Sequence, residues 1–88
     1  MSTVNTTVES EVRAVLVAHA KLAADATKMG LEADLYAAGM TSHSTVNVML
    51  GLEDAFDVEF PERMLRKATF GTISSIAQAV AELRASLA

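Results

Sequence analysis

Residues 39–61 read Gly-Met-Thr-Ser-His-Ser-Thr-Val-Asn-Val-Met-Leu-Gly-Leu-Glu-Asp-Ala-Phe-Asp-Val-Glu-Phe-Pro, and this stretch decides the fold. Within it Val46, Met49, Leu50, Glu53 and Phe56 keep helical spacing, and Val48, Leu52 and Ala55 form an adjoining strip. The spacing predicts a helix over about 42–56. Either Thr41 or Ser42 can open it, because a hydroxyl there accepts a hydrogen bond from an otherwise unpaired backbone N–H. Pro61 ends the stretch: it disfavours helix at Phe60 but suits the first position of a new one.

Working outward, Val8, Val12, Val15, Leu16, His19, Leu22 and Ala23 trace another helical stripe. Thr6 and Glu9 have the spacing of a capping box, so a first helix over about 7–24 is expected, with residues 1–6 disordered. Residues 25–41 keep no period; Gly30 and Gly39 punctuate them. They read as a long loop pinned through Leu31, Leu35, Tyr36 and Met40, and such loops in small domains are often functional. After Pro61 a short helix over 61–67 should turn Met64 and Leu65 inward. Thr69-Phe70-Gly71 breaks the chain, and Thr72 can cap a last helix over 72–87 carrying Ile73, Ile76, Ala77, Val80, Leu83 and Leu87. The expected fold is all-α: a four-helix bundle in one domain, with three longer helices, one short third helix and a long loop between helices 1 and 2.

Composition narrows the functions. In 88 residues, 51% are hydrophobic and only 5% aromatic, which favours helices over a β-sandwich. The chain has no cysteine, which removes disulfides, thiolate metal sites and cysteine nucleophiles together. Its two histidines, His19 and His43, lack a partner at metal-ligand spacing. A net charge of −4 without a basic stripe argues against nucleic acid. No apolar run approaches the roughly 20 residues that span a bilayer, and the start lacks the basic and apolar regions of a secretory signal. A cytoplasmic monomer is expected.

An enzyme is hard to build from these residues. Ser42 and His43 are neighbours on a helix and point about 100° apart, so they do not pair as nucleophile and base. Glu53, Asp54, Asp57 and Glu59 match neither a calcium loop nor a glycosidase pair, and read as solvated charges.

The order is instead a long loop, Gly39, Ser42 at a helix start, Val46, Leu52-Glu53, Phe56 and Phe60-Pro61. This resembles the acyl carrier protein family, with its Gly-x-Asp-Ser-Leu, Leu-Glu-x-x-Phe and Phe-x-x-x-Ile-Pro segments, over about Val8 to Leu83. The resemblance implies a 4′-phosphopantetheine arm on the Ser42 hydroxyl, added by a phosphopantetheinyl transferase, with cargo held as a thioester on the arm. A helix N-terminus favours an added anionic phosphate. Thr41 and His43 flank the serine where the family usually has Asp and Leu. The second helix carries no charge from His43 to Leu52, with His neutral, which weakens electrostatic steering of the usual kind. Met49, Arg63, Met64, Arg66 and Lys67 become the candidate partner-binding residues, with core packing the competing role for both methionines.

The Gly-Met-Thr-Ser-His-Ser run and its continuation also resemble a bacterial subgroup of aminoacyl carriers. These are charged with small amino acids such as glycine or alanine by ligases similar to seryl-tRNA synthetases. That resemblance implies an amino acid:[carrier protein] ligase as partner. A fatty-acid or polyketide-type carrier served by acyl-transferring enzymes, and an unmodified helical adaptor, are the alternatives.

Overall fold

The computed structural model describes residues 3–20, 22 and 25–87. Among them the chain forms three α-helices: α1 (Thr3–His19), α2 (Ser42–Phe56) and α3 (Ile73–Leu87). A single 3-10 turn, Glu62–Met64, lies between α2 and α3, and no strand occurs among the described residues.

The bounds of α2 and α3 follow the spacing; two other expectations need correction. The first helix begins at Thr3, so Thr3 to Thr6 are helical rather than disordered, and Thr6 and Glu9 lie inside the helix instead of capping it. No glycine or proline interrupts residues 3–19, and adding a residue to a formed helix is far easier than nucleating one. The helix ends at His19, five residues short of the expected end; Lys21, Ala23 and Ala24 of that stretch, like Met1 and Ser2, lie outside the described residues.

The second correction concerns 61–67, where a helix was expected. Only the i→i+3 bonds from Met64 N to Pro61 O (2.9 Å) and from Leu65 N to Glu62 O (3.0 Å) form before Leu65 leaves helical geometry. With three residues per turn, neighbouring side chains sit about 120° apart. Met64 therefore enters the core while Leu65 stays 49% exposed, not inward as its apolar character suggested. The four-helix count becomes three α-helices and one 3-10 turn.

The buried stripes of the three helices meet in one core. Val12 and Leu16 of α1, Val48 and Leu52 of α2, and Ile73, Ile76 and Val80 of α3 are fully or almost fully enclosed. α1 packs closely on both other helices, whereas α2 and α3 touch each other little. Residues 25–41 and 57–72 fill the remaining sides, sending in Leu35, Met40, Phe60 and Phe70. Leu35 N donates to Gly71 O (2.8 Å) and Ser74 N to Leu31 O (2.9 Å), which ties the long loop to the entry of α3. Among the described residues no helix is long and apolar enough to cross a membrane.

Candidate functional site

Everything at the head of α2 turns on which hydroxyl caps it. Thr41, in extended geometry, is the N-cap. Its Oγ1 accepts from Ser44 N (3.1 Å), and Thr41 N donates to Ser44 Oγ (2.8 Å), a reciprocal capping box. Ser44 is buried and its hydroxyl also reaches Thr41 O (3.1 Å). Thr45 Oγ1 adds a 2.7 Å bond to the same carbonyl. The cap is complete without Ser42.

Ser42 is therefore left as the first helical residue, exposed, with no hydrogen-bond partner for its hydroxyl among the described residues. A glycine prepares this entry. Gly39 has φ of 117°, which an L side chain adopts only with strain, and that reversal follows a turn closed by Gly39 N to Tyr36 O (3.1 Å). Met40 then drops into the core, 3% exposed, and holds the chain one residue before the cap.

Ser42 opens onto a groove of about 650 Å³ between α2 and the 65–70 segment. Val46, Met49 and Leu65 give it apolar walls; Thr45, Tyr36, Arg66 and Lys67 give it polar ones. The Tyr36 hydroxyl lies 3.2 Å from Thr45 Oγ1, and Lys67 Nζ sits 5.0 Å from the centre of the Tyr36 ring. The groove follows from the helix packing: α2 and α3 hardly meet, so the loop segment beside them leaves a cleft.

The residues singled out from sequence separate into groups here. Thr41, Ser42, Met49, Arg66 and Lys67 share the groove. His43 is exposed at the same helix end but does not line it. Arg63 faces elsewhere, 3.4 Å from Glu82 on α3 in an exposed ion pair. Met64 is a correction: at 6% exposure it packs in the core and cannot meet a partner. The inward turn expected of Met64 holds, and its competing role at a partner surface does not.

Tyr36 and Thr45 belong to the site although sequence reasoning gave Tyr36 only a packing role and Thr45 none. Glu53 is likewise more than a solvated charge. Its Oε2 accepts from Phe60 N (2.9 Å) while its backbone carbonyl takes Asp57 N and Val58 N. Among the described residues no group of three or more His, Cys, Asp or Glu could hold a metal ion.

An exposed, unbonded serine hydroxyl at a helix start can accept a covalent group without disturbing the cap. A cationic wall nearby suits an anionic substituent. Comparison with known proteins points the same way. Residues 11–80 match the family described as the phosphopantetheine attachment site. An aminoacyl carrier protein of Agrobacterium fabrum is 41% identical over 69 residues, covering 78% of this chain and 83% of that one. A chain in the crystal structure of an engineered Bradyrhizobium japonicum glycine:[carrier protein] ligase, complexed with carrier protein from Agrobacterium tumefaciens and AMP, superposes with a TM-score of 0.80. It is 38% identical and covers 83% of this chain and 97% of that one. The corresponding complex with ATP gives 0.82 at 37% identity, covering 85% and 97%.

Proposed function

The chain belongs to the phosphopantetheine attachment family, and from that premise we propose that it carries a small activated amino acid, glycine or alanine, on a 4′-phosphopantetheine joined to Ser42. Carriers of this family are not catalysts themselves. The fit of the group to this chain rests on one observation: the Ser42 hydroxyl is exposed and unbonded because Thr41 and Ser44 satisfy the helix start between them. When bound, the arm supplies a terminal thiol on which cargo is held as a thioester.

The residues of the chain then have defined tasks. Thr41 and Ser44 fix the first turn of α2, so that Ser42 projects from a rigid element rather than from a loop. Unpaired N–H groups of that turn favour a phosphate on the Ser42 oxygen. The activating base for modification comes from the transferase, which explains why His43 need not approach Ser42.

Amino-acid cargo is favoured over fatty acyl by the similarity to the aminoacyl carrier and to chains from ligase complexes. An amino acid:[carrier protein] ligase is accordingly the loading partner, and residues 1–88 act as one carrier unit in the cytoplasm. In this reading the 61–67 segment stands where such carriers have their short third helix, and Thr41, His43 and Met49 form the rim that a partner meets around Ser42.

Intact-mass measurement after incubation with coenzyme A and a broad-specificity phosphopantetheinyl transferase tests attachment. One phosphopantetheine should be added to the native chain and none to Ser42→Ala. Addition to the alanine variant sinks the assignment. Loading of the modified protein with glycine or alanine by a ligase of this kind and ATP, against acyl donors, tests the cargo.

A further inference from the structure

Two cations of the Ser42 groove have no acidic counterpart in it. Arg66 and Lys67 line the groove, and none of the residues sharing it with them is Asp or Glu. This is unexpected in a chain with 11 acids against 7 bases. Arg66 spends only its Nε on the protein, donating to Arg63 O (3.0 Å), which leaves the two terminal nitrogens of its fork without a partner among the described residues. Lys67 lies over the Tyr36 ring, a contact that orients the ammonium yet takes none of its N–H donors. Arg63 faces Glu82, on a neighbouring surface that Arg66 also borders.

From this we infer that Arg66 and Lys67 form a seat for the phosphodiester of the arm, so that the arm rests along the groove beside Val46 and Met49 between encounters with enzymes. The inference rests on attachment at Ser42. It reassigns the two cations from meeting a partner enzyme to holding the chain's own prosthetic group. The chemistry fits: a phosphodiester carries one permanent negative charge, a guanidinium fork matches its oxygens, and an oriented ammonium adds a point charge. A groove of about 650 Å³ falls in the range that accommodates a ligand the size of the arm. Tyr36 holds Lys67 in place while sharing its own hydroxyl with Thr45, so seat and helix start are mechanically joined. Being exposed, the seat is weak, and a partner can displace the arm from it.

The test compares the unmodified protein with the mass-verified modified protein by backbone amide and phosphorus NMR. Modification should shift amides at 65–70 as well as those beside Ser42. The distant shifts should fade as salt approaches about 1 M, where screening acts over ~3 Å. Replacing either cation (Arg66→Gln, Lys67→Gln) should lower the ratio of seated to free arm roughly two- to fivefold, the range expected for one exposed ion pair. Arg63→Gln removes an equal charge outside the groove and should change nothing. Modification without shifts at 65–70, or an equal loss in Arg63→Gln, overturns the seat while leaving attachment intact. Failure to gain the arm mass overturns attachment and the seat together.

Discussion

At the scale of single residues, the site depends on a division of labour between hydroxyls. Thr41 caps, Ser44 returns the bond from the buried side, and Ser42 stays out of both roles. Thr41→Ala should therefore cost about 1 kcal/mol, the usual value of an N-cap, read as a lower midpoint in urea. The mass gained at Ser42 should persist, since the cap and the proposed attachment point are different residues; loss of modification at unchanged stability would break that separation. Gly51 offers a second test. A β-carbon there would stand 2.7 Å from His19 Cδ2 and 3.0 Å from Val15 Cγ1. Alanine in a helix interior is favoured over glycine by about 1 kcal/mol, but here part of that gain must be spent in moving an exposed imidazole. Gly51→Ala should therefore stabilise the protein more in a His19→Ala background than in the native chain. A denaturation cycle with zero coupling would show that the close approach is irrelevant.

Among the elements, the link from α2 to the 3-10 turn is tied by one side-chain hydrogen bond beside the burial of Val58 and Phe60. Asp57, in left-handed geometry with φ of 55°, ends the helix, and Glu53 reaches forward seven residues to accept from Phe60 N. Hydrogen bonds to charged groups contribute about 1.5–3 kcal/mol; for this half-buried carboxylate the lower end applies. Glu53→Ala should cost that much in chemical denaturation, and Glu53→Gln, which keeps an acceptor, distinctly less. Equal costs would mean that the negative charge, which a neutral amide oxygen does not replace, carries the whole effect. The same element shows what could be read without coordinates. The bounds of α2 are local facts, a stripe at 3.6-residue spacing with a hydroxyl before it and a proline after it, and they emerge from the sequence directly. The order of residues around Ser42 singles it out in the same local way. The partner that Glu53 finds at Phe60, the outward turn of Leu65 and the groove shared by Tyr36 and Lys67 are tertiary. Each depends on how segments far apart in sequence settle on the core, which no spacing records. The start of α1 was missed for a different reason: a capping pattern inside a helix looks identical to one at its end.

The whole molecule depends on holding residues 25–41, which have no regular structure of their own, against three helices. Burial of Leu35 and Met40 supplies the apolar part. The polar part centres on Arg13 of α1, whose Nη1 donates to Ala26 O (2.8 Å) and Met29 O (2.6 Å). Because Met40 directly precedes the cap of α2, order in this loop and the position of Ser42 are connected. Asp25 contributes at the loop's start: its carboxylate accepts from the Thr27 hydroxyl (2.7 Å) and backbone N–H (2.9 Å), which hold its pKa below the ordinary aspartate value. A depressed carboxylate stabilises the fold above its unfolded pKa and loses that contribution as pH falls through the folded one. This turn should accordingly stay intact down to the ordinary aspartate range and loosen only below it. Arg13→Ala leaves two carbonyls without their donor and should raise hydrogen exchange at Lys28, Ala33 and Leu35 by an order of magnitude or more, since losing charge-assisted bonds worth about 1.5–3 kcal/mol shifts a local opening by that factor. Amides in the middle of α3, which open only with the whole fold, should change less. A uniform rise across α2, α3 and the loop would mean that Arg13 supports global stability and not a local clamp. A selective rise makes the loop the first part to open, and the helix start that presents Ser42 the next to follow.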